Sequence, residues 1–169
     1  MYHKFLLIYC WFVRTLLYFL PDIPLFMRFR GWLYGLFMKK CGKDFQVTHD
    51  AILKDIQNMY IGKHCFVGNH AVIMGRGKIK IDDEVMIAPH VIIISSNHGS
   101  YNGSYRYGHG EIGTIILGKG CWVAGNSTIQ KDSILPVNSV LSANSFLNKQ
   151  FETSNAIYGG VPAKLIKKF

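Results

Sequence analysis

The middle of the chain repeats with a period of twenty residues, and few architectures accommodate such a register. Cys41-Gly-Lys-Asp-Phe-Gln aligns with Ile61-Gly-Lys-His-Cys-Phe and with Ile81-Asp-Asp-Glu-Val-Met. Second hexapeptides begin at Val47, Val67 and Ile87, and third blocks at Leu53, Ile73 and Ile93. Two of the third blocks hold eight residues rather than six, which predicts a small bulge at one corner. The register resumes at Leu117 in turns of eighteen, with blocks starting at Leu117, Val123 and Ile129 and then at Leu135, Leu141 and Leu147. Five coils of three short sides follow from this count. A β-sandwich also alternates apolar and polar residues, but with period two and no six-residue register.

Each position of the block has a physical role in such a coil. Position one is aliphatic, so Val47, Val67, Ile87, Val123 and Leu141 form one inward ladder. Position five is small and also inward, as at Ala51, Ala71, Val91, Ser127 and Ser145. Position four is polar and expected to face out, as at Asp50, His70, His90, Asn126 and Asn144. Position two is small, as at Gly62, Gly68 and Gly118, where glycine is expected to tolerate a bent corner. Stacked coils pair their backbones about 4.8 Å apart and bury a core that one repeat cannot bury alone.

The 169 residues carry a formal charge of +9, concentrated at the two ends. Arg14, Arg28, Arg30, Lys39, Lys40 and Lys43 stand before the repeat, and Lys164, Lys167 and Lys168 after it. Basic ends fit an anionic partner. No nucleic-acid-binding signature accompanies them, so nucleic acid is not expected as a partner. Cys10, Cys41, Cys65 and Cys121 form no C-x-x-C pair, so no zinc or redox motif is indicated. Cys41, Cys65 and Cys121 fall on repeat positions, which fits reduced thiols in a cytoplasmic protein.

Residues 1–40 form a hydrophobic and basic segment. Its first apolar run is interrupted by Arg14 and ends at Pro21, short of the roughly 20 apolar residues a bilayer span needs. Pro-Asp-Ile-Pro follows, which is no signal-peptide cleavage site. From Leu25 to Met38, apolar residues recur at helical spacing and Lys39-Lys40 suits a helix end. Two readings stand: a helical cap on the repeat or on a neighbouring subunit, or a helix pair lying on the inner face of the cytoplasmic membrane.

The hexapeptide register resembles that of the hexapeptide-repeat acyltransferases over about two-thirds of the chain. Val85-Met-Ile-Ala-Pro-His-Val, followed by a His-bearing excursion, is similar to the galactoside and maltose acetyltransferases. The ending Ile157-Tyr-Gly-Gly-Val-Pro-Ala-Lys-Leu-Ile matches their closing segment. The segment leading into Lys40-Cys-Gly-Lys resembles the small sugar O-acetyltransferases of surface-polysaccharide synthesis. The resemblance implies a left-handed parallel β-helix over 41–152, a closing segment over 153–169, a homotrimer, acetyl-CoA as co-substrate and no metal. It also implies a substrate contact at Asn69 and an active-site tryptophan at Trp122. Backbone contacts to the pantetheine arm are implied at Gly125 and Ala143, and charges near the nucleotide phosphates at Lys164 and Lys167. The family carries arginine at those last two places, and lysine keeps the charge but loses the bidentate fork.

The register breaks once, between His98 and Leu117, where residues 99–116 fit no hexapeptide. A loop extruded from a rigid solenoid is a usual place for chemistry. His98 stands at its base and matches the family's catalytic histidine. Transfer from a thioester to a hydroxyl needs a base for the hydroxyl proton, which imidazole supplies near neutral pH. It also needs a donor to the tetrahedral oxyanion. His109 and Tyr101 in the loop are candidate substrate contacts, and Tyr105 and Tyr107 are either sugar-stacking groups or loop packing. His70 and His90 are expected to stack on the outer face without binding metal, and His64 to be exposed. Cys65 and Cys121 read as core residues rather than nucleophiles. The expected activity is O-acetylation of a sugar in a surface polysaccharide or its precursor. N-acetylation of an amino sugar is the alternative enzyme, and a scaffold without catalysis the non-enzymatic one.

Overall fold

The computed structural model describes residues 2–169. From Lys40 onward the chain winds into a parallel β-helix whose wall is three sheets. The first face stacks Lys40–Cys41, Met59–Ile61, Lys78–Ile81, Thr114–Leu117 and Ser133–Leu135. The second stacks Gln46–Val47, Phe66–Val67, Met86–Ile87, Trp122–Val123, Val140–Leu141 and Ala156–Gly159. Ile52–Lys54, Val72–Met74, Ile92–Ile94, Thr128–Gln130 and Phe146–Leu147 make the third. Five coils are complete and Ala156–Gly159 begins a sixth. Lys164–Lys168 then turns back antiparallel and closes the second face. The position-one ladder is in register: Val47 pairs with Val67, then Ile87, Val123 and Leu141, and none is more than 1% exposed.

Two expectations about the corners are corrected. The bend falls at position four, which adopts a left-handed backbone at Asp44, His64, Glu84 and Asn138 along one edge and at His70, His90, Asn126 and Asn144 along another. Among non-glycine residues Asn, Asp and His are the most enriched in that region, which accounts for all of these corner residues except Glu84. Position two does not bend. A Cβ on Gly62 would lie 2.4 Å from the Asp83 nitrogen, and one on Gly118 2.5 Å from that of Val137. Glycine is therefore required by the approach of the next coil. Asp50 also departs from the outward pattern. It is buried and accepts hydrogen bonds from the Thr48 hydroxyl, the Asn69 amide and the His70 backbone N–H.

The excursion is shorter than residues 99–116. Thr114–Leu117 already belongs to the first face, with Ile115 and Leu117 fully buried. Ser96–Asn97 and Glu111–Ile112 pair antiparallel and form the neck of the loop.

Two helices precede the solenoid: α1 (Tyr2–Leu16) and α2 (Pro24–Gly35). Leu6, Cys10 and Val13, at i, i+4 and i+7, form the buried stripe of α1. α1 packs on Ile52–Lys54 and α2 on Gln46–Val47, so together they cap the first coil. α2 lies so close that a Cβ on Gly31 would overlap the Phe45 carbonyl oxygen at 1.8 Å. Arg30 is 1% exposed and donates to Asp22 at 2.9 Å and to the carbonyls of Val47, Leu17 and Leu20. It ties both helices and their connection to the second face. The opposite side of the pair is apolar and exposed, including Ile8, Phe12, Leu16, Phe19, Leu25 and Trp32. No helix among the described residues is long and apolar enough to cross a membrane.

Gly62→Ala should destabilise the chain by about 2 kcal/mol or more, because a packed coil must move. Gly103→Ala, at φ +75° with open space around it, should cost only about 1 kcal/mol of backbone strain. Urea titrations of both variants check this; equal losses would remove the coil-contact account of position two.

Candidate active site

His98 follows a rigid neck. Ser95 is fully buried, and its hydroxyl accepts from the Gly77 N–H at 2.9 Å and donates to the Met74 carbonyl at 3.2 Å. The Asn97 side-chain oxygen Oδ1 accepts from the Gln130 side-chain amide at 2.6 Å. His98 itself is exposed and lines a cleft of about 600 Å³. Arg76, Ser96, Lys54, Asp55 and Asn58 share that cleft, and His3 and Leu7 of α1 close one side.

The two eight-residue blocks build its walls. The first carries the single turn Ile56–Asn58, with Asp55 in the left-handed region before it. The second carries Gly75 to Lys78. The Asn58 amide donates to the carbonyls of Gly75 and Arg76, at 2.9 and 3.0 Å, and joins the two bulges. Asp55 pairs with His3 at 2.9 Å. Sequence reasoning missed Asp55, Asn58, Arg76 and Ser96; the two extra residues per block were the available signal.

The other candidates fall elsewhere. His109 is exposed in the excursion, and its carbonyl packs against Gly99 beside the neck. Tyr101 forms a tight backbone bridge with Ser104 and is 59% exposed. Trp122 projects from the second face, 43% exposed. Lys164 and Lys167 lie on the exposed closing strand of that same face. Gly125 and Ala143 stand at the edge between the second and third faces, directly before the corner residues Asn126 and Asn144. His70 and His90 stack at that edge with ring centroids 4.8 Å apart. His98 belongs to the opposite end of the third face, so one chain does not bring these two groups together.

Asn69 sits at the second edge in a polar cluster that the sequence did not foreshadow. Its amide donates to Asp22 at 3.0 Å. The His49 Nδ1 lies 2.7 Å from Asp22, and the His49 N–H donates to the same carboxylate at 2.8 Å. Asp22 and His49 are 27 residues apart, on a helix connection and a coil, so spacing could not pair them. Burial by itself would raise the Asp22 carboxyl, but hydrogen bonds from His49 and Asn69 outweigh it and hold the group below its ordinary value. The cysteines are inward or partly inward, and burial pushes Cys65 and Cys121 up to about 11 and Cys10 to about 12. Such thiols are protonated and inert at neutral pH. Among the described residues no group of three or more His, Cys, Asp or Glu has the geometry to hold a metal ion.

No protein-family model matches the chain. Galactoside O-acetyltransferase of Escherichia coli K12 is 25% identical over 111 residues, covering 66% of this chain and 54% of that protein. A putative lipopolysaccharide biosynthesis O-acetyltransferase of the same organism is 28% identical over 112 residues, covering 61% and 57%. An Escherichia coli dTDP-4-amino-4,6-dideoxy-D-glucose acyltransferase is 28% identical over 116 residues, covering 64% and 59%. A hexapeptide-repeat acetyltransferase of Vibrio cholerae, solved with acetyl coenzyme A, superposes with a TM-score of 0.82 at 19% identity, over 98% of this chain and 87% of that one. The fold is that of the hexapeptide-repeat acetyltransferases. The repeat register thus resembled the right family of folds, the left-handed parallel β-helix included. This chain spans little more than half the length of the curated relatives it matches.

Asp22 anchors Arg30 and with it the cap. A carboxyl with a lowered pKa in the folded chain stabilises it above the unfolded value of about 3.9 and loses that contribution as pH falls through the folded value. Wild-type Tm should therefore fall more steeply than that of Asp22→Asn as pH drops below about 4. Thermal melts across that range check this, and parallel curves would show that the Asp22 cluster does not hold the cap.

Proposed function

We propose that this chain transfers an acetyl group from acetyl-CoA to a hydroxyl of a sugar in a surface polysaccharide or its precursor. The observation that carries the reading is the one break in the solenoid, which sets His98 over a polar cleft in a fold shared with acetyltransferases. In the proposed step the imidazole takes the hydroxyl proton as the oxygen attacks the thioester carbonyl. A tetrahedral oxyanion forms and collapses, the carbon–sulfur bond breaks, and the coenzyme thiolate recovers the proton from the imidazolium. No covalent enzyme intermediate is needed. The relative named for a lipopolysaccharide O-acetyltransferase supports the acceptor class.

A second reading, acetylation of an amino sugar, draws support from the relative named for an amino-dideoxyglucose acyltransferase. Thiol release with matched hydroxyl and amino sugars separates the two.

A homotrimer fits the division of the site. Trp122, Lys164 and Lys167 on the second face, and Gly125 and Ala143 at the edge beside it, are the groups proposed to bind coenzyme and acceptor; none lines the His98 cleft, and in a trimer a second copy would bring them to it. Asn69 belongs to that edge as well, and its release from Asp22 would free its amide for the acceptor. His109 and Tyr101 would approach the acceptor from the excursion. Peripheral contact with the inner face of the cytoplasmic membrane is supported by the outer face of the helix pair, which is apolar where an isolated cap would be polar.

His98→Ala should lower kcat by about 10² to 10⁴ with coenzyme affinity nearly unchanged, since proton transfer occurs only as the hydroxyl attacks. His64→Ala, exposed at a corner of the first edge, should cost far less. Thiol release and calorimetry on both check this; a His98→Ala chain that keeps more than about a tenth of kcat would move the base elsewhere, with His109 next. Light scattering at micromolar concentration should report three copies, and a fully active monomer would overturn the shared site.

A further inference from the structure

A second space of about 220 Å³ adjoins the His98 cleft on the outside of the first face, and Asn58 and Arg76 line both. Lys39, Tyr60, Lys78 and Ile112 of the neck belong to the lining of the second space. Arg76 stands at the junction. Its side chain is exposed and reaches the neck, where its Nη1 would lie 3.9 Å from a Cβ on Gly110. The same Cβ would meet the carbonyl oxygen of Asn97, the residue before His98, at 2.8 Å. The Lys78 ammonium stands over the Tyr60 ring, 5.2 Å from its centroid.

The charge of these two spaces has one sign. Lys54 and Arg76 line the cleft, and Lys39, Arg76 and Lys78 line the second space, which has no acidic residue in its wall. The carboxylate of the cleft, Asp55, is buried and engaged by His3 at 2.9 Å. Acids farther out are engaged as well, Glu111 by Lys131 at 3.1 Å and Asp82 by Lys80 at 3.0 Å. Among the described residues Lys39, Lys54, Arg76 and Lys78 have no carboxylate within ion-pair distance. Unpaired like charges along one path raise the local potential and draw an anionic ligand. The coenzyme does not supply that anion beside Arg76, because its phosphates lie a whole pantetheine arm away from the thioester that must meet His98. We propose that the acceptor is an acidic oligosaccharide. The ring with the reactive hydroxyl occupies the His98 cleft, with an anionic group, a carboxylate or a phosphate ester, at Arg76. The adjoining part of the chain, also anionic, lies in the space lined by Lys39, Tyr60 and Lys78. This rests on the acetyl-transfer reading of the cleft and narrows its acceptor to one that carries negative charge.

The test is calorimetric binding of three saccharides to the full chain without acetyl-CoA: an oligogalacturonate, the same oligomer with its carboxyls reduced to alcohols, and the reduced oligomer bearing phosphate monoesters. The carboxylate form, the phosphate form or both should bind about tenfold more tightly than the neutral one, with the advantage shrinking as salt rises. The form that does so identifies the anion. Arg76→Gln with Lys78→Gln should bring all three within about twofold of one another. Arg76→Lys with Lys78→Arg, which keeps the charge, should retain most of the preference. Both side chains are exposed, so these changes spare the core. Equal binding of acidic and neutral forms, or binding of none, would overturn the proposal. A preference that survives the double substitution to Gln would place the anion elsewhere and overturn it too. A loss of about tenfold in coenzyme A affinity in that variant would assign these cations to the coenzyme phosphates and overturn it as well. Because the assay contains no acetyl-CoA, its failure in a chain that acetylates neutral saccharides removes this inference alone. A chain that prefers the acidic forms and releases no coenzyme with any of them removes the acetyl-transfer reading and keeps the anionic groove.

Discussion

The distance between successive coils is the constraint on which the rest depends. Backbone pairing fixes it, and at the first corner of three coils it leaves no room for a side chain at position two. Gly42, Gly62 and Gly118 answer that requirement, with an added Cβ in each case about 2.5 Å or less from the next coil. The same spacing aligns every inward residue with its neighbours above and below, so the core is one column from Val47 to Leu141. It also turns position four into a line of left-handed corners, which is where polar side chains collect.

A column of this kind has two ends that a globular core lacks, and each must be covered. At the far end Tyr158 is buried, stacks on Phe151 at 4.0 Å and donates its hydroxyl to the Thr153 carbonyl. At the near end the helix pair does this work, held by Arg30 through the carbonyls of Val47, Leu17 and Leu20. A buried cation of this sort is tolerated because Asp22 and three carbonyls surround it. The cap and membrane readings of residues 1–40 are therefore compatible, since one stripe of α1 faces the coil and another faces outward.

The excursion and the bulges work as one device. Regular coils present only short polar corners, too shallow to enclose a substrate. Two added residues in each of two neighbouring blocks push the chain outward, and the neck of the loop rises beside them, so a cleft forms at a single edge. That cleft lies next to α1, whose His3 and Leu7 form one of its sides.

Periodicity made the solenoid, the inward ladders and the break at His98 legible in the sequence, because each block's character follows from local geometry that repeats with the backbone. The buried cysteines were legible for the same reason. Residues whose partners lie in another coil or on another element were not. Position-two glycine was assigned to a bend because its true neighbour is the next coil. Asp50 was expected to face solvent because neither Asn69 nor the Asp22 cluster is visible from its own block. Ile115 and Leu117 were split between loop and coil because a short strand at a break has too few residues to declare a period. The sequence by itself determined the coil and the place where it stops. Only the tertiary structure decided which edges share a cleft and what the helices cover, since those depend on contacts between segments with no common register.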